Sequence, residues 1–324
     1  MTTTHTTPLP PGLTVRPATL DDAETVCALL NEIDLLEIGR AGTELGEVQA
    51  DLKHPEADLE RDSWLLFDGD RLVAYGLLWD ESGGERVDMD HYALPDQPLG
   101  ALHLFDLMEA RAAERAAANG ADRAVVHMHL NIAPTMDLDA LRGRGWRAVR
   151  RYNVMARPLS PTEPLPTPPP GVTLRSCTAE PDRRQAHALL QAAFVDHFDF
   201  QPRTYEQWLD DIDAEHVDWS LIWIAHVDGL GDAAAVRSRN DRSGMAWIAN
   251  IGVLREARGR GLGSLLLGHT FGHYAALGRD RIGLGVDTDN STNALALYER
   301  HGMKLDFAVD TWELVRPVER TPAD

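Results

Sequence analysis

The chain has 324 residues, of which 44% are hydrophobic and 25% are charged, a composition typical of a globular protein long enough for two domains. A formal net charge of -20 argues against nucleic acid as a partner, because proteins that bind phosphate backbones carry excess positive charge. The two cysteines, Cys27 and Cys177, lie far apart, and no stretch approaches the roughly 18 apolar residues of a membrane span. We therefore expect a cytoplasmic protein with no membrane contact and no disulfide framework.

The predicted elements of the first half begin with a strand at Thr14–Pro17 and a helix over Asp21–Ile33, whose apolar residues recur at spacings of three and four. A hairpin follows, with strands at Trp64–Phe67 and Leu72–Trp79 around the turn sequence DGD. A further strand at Glu85–Ala93 precedes a long helix, another strand, a short helix and closing strands. These elements predict a sheet with helices packed against it.

A proline-rich segment, Arg157–Gly171, separates this half from a second half that begins in the same way. GLTVRPAT starts at Gly12 and GVTLRSCT starts at Gly171, and the predicted elements then recur in the same order, which indicates an internal repeat. We predict a first domain over 1–156, a linker over 157–171 and a second domain over 172–324. Early hairpins and a late strand–helix–strand unit in each half predict an α/β fold, with a mixed, mostly antiparallel twisted sheet and helices on both faces.

The most distinctive stretch of the second half is RGRGLGS, which starts at Arg258 and directly precedes an apolar run of helical character. Its spacing does not fit a dinucleotide-binding fingerprint, and no lysine is available for a Walker A loop. A tight turn with incidental glycines is one alternative. The other is an anion site made of bare backbone amides at a helix N-terminus, to which Arg258 and Arg260 add positive charge.

The same stretch resembles the acyl-CoA motif of the GCN5-related N-acetyltransferase (GNAT) superfamily, in which a strand is followed by Arg or Gln, two variable residues, Gly, one variable residue and Gly or Ala. Arg258, Gly261 and Gly263 match this motif. The block VDTDNSTNALALYERHGM at Val286–Met303 resembles the next motif, although Met303 replaces its usual final aromatic residue. The first half resembles the same fold more faintly, so the resemblance implies two tandem GNAT-like domains, a layout similar to that of the mycothiol synthase family.

The resemblance implies that acetyl-CoA is the co-substrate and that no metal is needed. The backbone of Ile251–Val253 would pair with the pantetheine arm as with an added strand, and the pyrophosphate would lie on the amides of the glycine stretch. Asn290 and Asn293 would flank the pantetheine, with helix capping as the alternative. Tyr298 would face the thioester sulfur and protonate the departing thiolate, with a packing role as the alternative. The implied cofactor-binding residues are Ile251, Gly252, Val253, Arg258, Gly259, Arg260, Gly261, Leu262, Gly263, Ser264, Asn290, Asn293 and Tyr298.

The general base is not evident from the sequence. The predicted strand before the glycine stretch offers Trp247 and Asn250 but no carboxylate, so we expect the amine to lose its proton through water or to an acidic group elsewhere. Three polar residues fall where the superfamily's acceptor-side loop usually lies, with a solvated charged loop as the alternative. They are Asp196, His197 and Asp199.

Two pairs of histidines are candidate metal ligands. His269 and His273 share a helix face, but no HExxH glutamate lies between them. His127 and His129 share a strand face, but no third ligand is evident. We therefore predict no metal site.

These observations lead to one main hypothesis for function. The second half transfers an acetyl group from acetyl-CoA to a primary amine of a small molecule or peptide, by direct attack and without an acyl-enzyme. Acetylation of a cysteinyl amine, as in mycothiol synthases, and a CoA-binding or substrate-binding sensor without turnover are the alternatives. The first half lacks both the glycines and the tyrosine, so we predict that it is degenerate, in a protein that is a monomer or a homodimer.

Overall fold

A computed structural model describes residues 7–54, 57–80, 83–212, 217–240, 245–289 and 293–318. The chain forms two compact units. The first unit comprises Met1–Arg151 and Ala308–Asp324, and the second unit comprises Tyr152–Phe307. Each unit therefore contains a terminal segment from the opposite half of the repeat.

The first unit combines one mixed sheet with helices whose apolar faces pack against it. Its helix α1 carries Val26, Leu29, Leu30 and Ile33 on one buried face, the three-and-four spacing of an amphipathic helix. Its elements in chain order are β1 (Leu13–Arg16), α1 (Ala23–Glu37), α2 (Leu45–Leu52), α3 (Leu59–Asp62), β2 (Ser63–Asp68), β3 (Arg71–Trp79), β4 (Arg86–Ala93), α4 (Pro98–Ala118), β5 (Arg123–Asn131) and α5 (Leu138–Arg144).

The sheet of the first unit has the order β1-β2-β3-β4-β5-β12, where β12 is Lys304–Pro317 at the end of the chain. Neighbouring strands run antiparallel except β4 and β5, which are parallel over Arg86–Asp88. The last strand of the second half thus pairs with β5, from Val309 opposite Asn131 to Pro317 opposite Arg123.

The second unit repeats this arrangement. Its sheet has the order β6-β11-β10-β9-β8-β7, with β10 and β11 parallel and the other neighbours antiparallel. The last strand of the first half, β6, supplies Tyr152–Pro158 to this sheet. The elements are β6 (Arg147–Pro158), β7 (Val172–Ser176), α6 (Glu180–Phe194), α7 (Tyr205–Asp211), β8 (Ile222–Val227), β9 (Gly231–Arg239), β10 (Ala246–Val253), α8 (Leu262–Ala276), β11 (Arg281–Asp287) and α9 (Ala294–Arg300).

Two glycines inside α8 have a packing explanation. A Cβ atom on Gly272 would lie 2.9 Å from Leu165 Cδ2, and one on Gly268 would lie 3.3 Å from Pro166 Cγ. The proline-rich segment therefore lies against a helix face that has no side chains at these positions, and larger residues would push it away.

These sheets and helices confirm the predicted α/β class, in which the two halves are tandem repeats of one mixed-sheet fold. None of the helices in the described part of the chain combines the length and apolar character that a bilayer-spanning helix requires.

Candidate active site

The second unit contains a wedge between β10 and β11. These strands pair in parallel only from Ala246 to Ile248, whereas β10 continues to pair with β9 as far as Val253. The register of β10 against β9 shifts between Ile248 and Asn250, which is the signature of a β-bulge that turns the strand away from β11. In the described part of the chain, the β11-facing edge of residues 251–253 therefore has no strand partner and can accept an extended ligand.

The glycine stretch forms the turn between β10 and α8. Gly259 and Gly261 have φ values of 76° and 78°, in the left-handed region that side chains disfavour, and Gly261 is the N-cap of α8. A Cβ atom on either residue would meet nothing within 4 Å, so backbone conformation rather than crowding favours glycine here. The backbone amides in the first turn of α8, after Gly261, have no intrahelical acceptor. They lie at the positive end of the helix dipole, which favours a bound anion.

The other two glycines of the predicted site are explained by packing. A Cβ atom on Gly252 would lie 2.7 Å from the Cβ of Ala193 in α6, and one on Gly263 would lie 3.2 Å from Leu297 in α9. These glycines let α6 and α9 approach the strand and the start of α8 closely, which shapes the wedge.

A cleft of about 820 Å³ occupies the wedge and extends past the glycine stretch, entirely within the second unit. Arg260 is exposed and does not line it, and Asn290 lies outside the described residues. The predicted residues that line the cleft are Ile251, Gly252, Val253, Arg258, Gly259, Gly261, Leu262, Gly263, Ser264, Asn293 and Tyr298.

Two side chains fix the edges of the glycine turn. The hydroxyl of Ser264 lies 2.6 Å from Nε2 of His301, which connects the first turn of α8 to the residue after α9. The guanidinium of Arg258 donates to the carbonyl of Val253, with 3.3 Å between Nε and O, and remains exposed. The turn therefore keeps a positive charge at the mouth of the cleft.

Tyr298 lies on α9 and faces the cleft while only 6% of its surface is exposed. Burial raises its pKa to about 12, because the phenolate would lose its hydration. No described side chain or backbone group forms a hydrogen bond with its hydroxyl. The hydroxyl is therefore protonated at neutral pH and available as a donor.

Tyr152 and Asp287 also line the cleft, and sequence reasoning missed both. They lie opposite each other in the pairing of β6 with β11, and Asp287 is 8% exposed and accepts a hydrogen bond from the amide of Asp289 at 2.9 Å. Tyr152 comes from the first half of the repeat, so only knowledge of the strand exchange could have identified it.

The acceptor-side loop brings one of its three candidates to the cleft. His197 lines it, next to the ring of Phe194 at 4.3 Å between centroids. Asp196 instead forms an ion pair with Arg255 at 2.6 Å, and Asp199 adopts a left-handed φ of 51° in the loop. Asn250 also lines the cleft, but its Oδ1 accepts a hydrogen bond from Arg237 at 2.9 Å.

The two histidine pairs considered as metal ligands contact an aromatic ring in one case and neighbouring polar side chains in the other. His269 and His273 both contact the ring of Trp223, with centroid distances of 5.0 and 4.9 Å. In the first unit, Nε2 of His127 lies 3.0 Å from a carboxylate oxygen of Glu313. Nδ1 of His129 lies 3.1 Å from the hydroxyl of Thr311. No group of three or more metal-ligating side chains occurs within the described ranges.

The corresponding wedge of the first unit is closed by its own side chains. The hydroxyl of Thr135 donates to the carbonyl of Ala93 at the end of β4, at 3.2 Å, and its amide donates to Glu37 at 2.6 Å. The other oxygen of Glu37 accepts from Asn131 at the end of β5, also at 2.6 Å. The cavity beside this network measures only about 140 Å³, and α4 begins at Pro98, which has no amide hydrogen.

Comparisons with known proteins agree with this geometry. The family model described as "Acetyltransferase (GNAT) family" matches residues 184–303. A mycothiol acetyltransferase from Streptomyces griseus is 33% identical over 314 residues, covering 91% of this chain and 94% of the relative. A mycothiol acetyltransferase from Salinispora tropica is 34% identical over 58% of this chain and 61% of its own length.

Among solved structures, a GCN5-related N-acetyltransferase from Sphaerobacter thermophilus has a TM-score of 0.80 and 25% identity, covering 97% of this chain and 99% of the other. A tandem GNAT protein from the clavulanic acid biosynthesis pathway has a TM-score of 0.68 over 95% of this chain and all of the other, at 15% identity, and so supports the fold alone. The chain therefore belongs to the acetyltransferase (GNAT) family, as a tandem member similar to the mycothiol acetyltransferases, and is an acyl-CoA-dependent acetyltransferase that acetylates an amine.

Proposed function

We propose that the cleft of the second unit binds acetyl-CoA, the co-substrate of the family, and transfers its acetyl group to a primary amine of a small molecule. The observation that carries this proposal is the combination of an unpaired strand edge at residues 251–253 with open, left-handed glycines at the start of α8. The first feature suits an extended amide chain such as pantetheine, and the second suits a pyrophosphate.

In this proposal the pantetheine arm pairs with the backbone of Ile251–Val253. The amides from Gly259 to Ser264 hold the pyrophosphate, while Arg258 adds positive charge at the mouth and Arg260, exposed in the same turn, adds to the local positive potential. Asn293 flanks the arm, and the expected role of Asn290 falls outside the described residues. The cleft volume of about 820 Å³ is within the range typical of small-molecule sites.

The reaction that we propose is a direct attack of the neutral amine on the thioester carbonyl. The new C–N bond forms, the C–S bond breaks, the electron pair of that bond moves onto the sulfur, and the nitrogen releases its extra proton to water to give the neutral amide. Tyr298 donates a hydrogen bond to the sulfur as its charge develops and passes its proton to the thiolate, and solvent reprotonates the phenolate. The low-polarity surroundings raise the pKa of Tyr298 and also make the thiolate a stronger base, so the two effects on this proton transfer oppose each other.

We propose that the amine loses its proton through water. Strand β10 offers Trp247 and Asn250 to the cleft, and Asn250 already accepts a hydrogen bond from Arg237. Neither group on β10 is a base, and in this proposal the acceptor becomes neutral by exchange with solvent before attack.

The relatives suggest the first acceptor to test, because the proteins named mycothiol acetyltransferases indicate a cysteinyl amine. The experiment measures release of CoA thiol from acetyl-CoA with a cysteinyl amine, other primary amines, amino acids and aminoglycosides. We expect turnover with at least one primary amine and none with its N-acetylated form. Absence of turnover across the panel, with acetyl-CoA bound, would contradict the proposed reaction.

A further inference from the structure

The first unit carries a second cluster of polar side chains, away from the closed wedge. Asp90 and Tyr92 lie on the same face of β4, and Tyr75 lies opposite Tyr92 on β3. The rings of the two tyrosines are nearly parallel, at 7°, with their centroids 6.4 Å apart. We call these three residues the Asp90 site.

The polar ends of this site have no partners in the described part of the chain. Neither the carboxyl of Asp90 nor the hydroxyls of Tyr75 and Tyr92 form a hydrogen bond or an ion pair. Tyr75 is only 3% exposed, yet its hydroxyl oxygen is not fully enclosed. The same holds for the carboxyl of Asp90 and the hydroxyl of Tyr92. The three polar ends therefore lie on the same face of the strand pair and keep some contact with solvent.

The electrostatic surroundings of Asp90 are negative. Burial, followed by the charges of Asp51 and Asp88, raises its pKa to about 8. Burial, followed by the charges of Asp90 and Asp51, raises the pKa of Tyr75 well above its ordinary value. The charge of Asp90, followed by burial, does the same for Tyr92. The ionised form of a half-buried carboxyl without a donor is costly, so Asp90 keeps its proton to higher pH, and a bound cation would favour the carboxylate.

The second unit does not repeat this chemistry. The register of β3 with β4 sets Asp90 opposite Leu77, whereas the equivalent pair in the second unit is Asn250 opposite Arg237. Those two side chains hydrogen-bond to each other at 2.9 Å. The first unit therefore has an unpaired acidic residue at this position, whereas the second unit has a neutral asparagine that is hydrogen-bonded to its neighbour.

We propose that the Asp90 site binds the primary ammonium group of a small organic amine. The carboxylate supplies the charge partner, and the tyrosine hydroxyls can accept ammonium hydrogens. A metal ion is disfavoured, because no group of three metal-ligating side chains occurs among the described residues and two of the three groups here are aromatic. The site does not depend on acetyl transfer, and its residues belong to the first unit, whereas the proposed catalytic cleft belongs to the second.

The test is a calorimetric titration of the full chain with n-propylammonium chloride at about pH 9, without acetyl-CoA, because Asp90 is then ionised while an alkylammonium group, with a pKa of about 10, is still charged. Two other probes define the chemistry: n-propanol has a similar size without the charge, and β-alanine adds a carboxylate that the acidic surroundings should repel. We expect saturable binding of n-propylammonium, at least about tenfold weaker binding of β-alanine and no binding of n-propanol.

The matched variants are Asp90→Asn and Asp70→Asn, which remove the same charge from the site and from an exposed turn. Asp90→Asn should weaken n-propylammonium binding at least about tenfold, whereas Asp70→Asn should bind as the original chain does. Tyr75→Phe serves as a second variant if Asp90→Asn fails to fold, and it should weaken binding by removing one acceptor. Equal binding by Asp90→Asn or, in its place, by Tyr75→Phe, equal binding of n-propanol, or no binding of n-propylammonium would each overturn the proposal.

Discussion

Replacement of Tyr298 by phenylalanine separates catalysis from structure, because the substitution removes one oxygen atom. The hydroxyl has no hydrogen-bond partner in the described part of the chain, so its removal should change the free energy of unfolding by less than about 0.5 kcal/mol. That change corresponds to a shift in Tm of about 1–2 °C for a protein of this size. Loss of the proton donor should instead lower kcat by about 10².

The assay follows thiol release at saturating acetyl-CoA and amine, with calorimetry to measure acetyl-CoA affinity. We expect kcat to fall while the affinity stays within about twofold, because the phenol acts only as the C–S bond breaks. Since the pKa of Tyr298 is about 12, its ionisation should not reduce wild-type activity below about pH 10.

Tyr205→Phe is the matched control. Tyr205 is 8% exposed, lies on α7 of the same unit and does not line the cleft. The Tyr205→Phe variant should therefore retain the full kcat of the original chain. An unchanged kcat in Tyr298→Phe, or an equal loss in Tyr205→Phe, would refute the assignment of Tyr298 as the acid.

Three further predictions test other parts of the account. Gly261→Val should weaken acetyl-CoA binding by at least about 10², as measured by calorimetry. Gly278 has a similar φ of 80° and equally open space, so Gly278→Val should introduce similar strain and still bind acetyl-CoA normally. Equal affinities of the two variants would exclude the glycine turn as the pyrophosphate site. Titration of the full chain should saturate at one equivalent of acetyl-CoA, because Glu37 helps to close the wedge of the first unit, and two equivalents of similar affinity would contradict this. Asp22→Asn should destabilise the protein by about 1 kcal/mol near neutral pH, because Arg16 lowers the pKa of Asp22 from 3.8 to about 2. The difference in free energy of unfolding between the variant and the original chain should fade as the pH drops from about 4 towards 2. A difference that persists below pH 2 would refute the contribution of this ion pair.

Local sequence signals predicted the glycine turn well. The stretch from Arg258 to Gly263 indicated a helix that begins after bare backbone, and α8 begins at Leu262 with Gly261 as a left-handed N-cap. Both features depend on a few neighbouring residues, whose φ preferences and helix signals can be read directly from the chain.

The exchange of terminal strands could not be predicted in this way. Pairing of β6 with β11 joins residues more than a hundred positions apart, and hydrophobic periodicity defines a strand without naming its neighbour. Tyr152 consequently escaped notice, although it lines the cleft.

The glycines illustrate a second limit of sequence reasoning. Gly252, Gly263, Gly268 and Gly272 look alike in the sequence, yet each has no side chain because another element lies close to it. Gly259 and Gly261 instead have open space and left-handed backbone. Only the three-dimensional neighbours distinguish packing glycines from those that could contact a ligand.

The central claim is that acetyl-CoA occupies the wedge of the second unit in a reactive position, and a crystal structure of the full chain with acetyl-CoA tests it most directly. We predict that the pyrophosphate will lie on the amides between Gly259 and Ser264, that the pantetheine will pair with Ile251–Val253, and that the thioester sulfur will lie within hydrogen-bond distance of the Tyr298 hydroxyl. Acetyl-CoA bound in the first unit instead, or a thioester remote from Tyr298, would contradict the account.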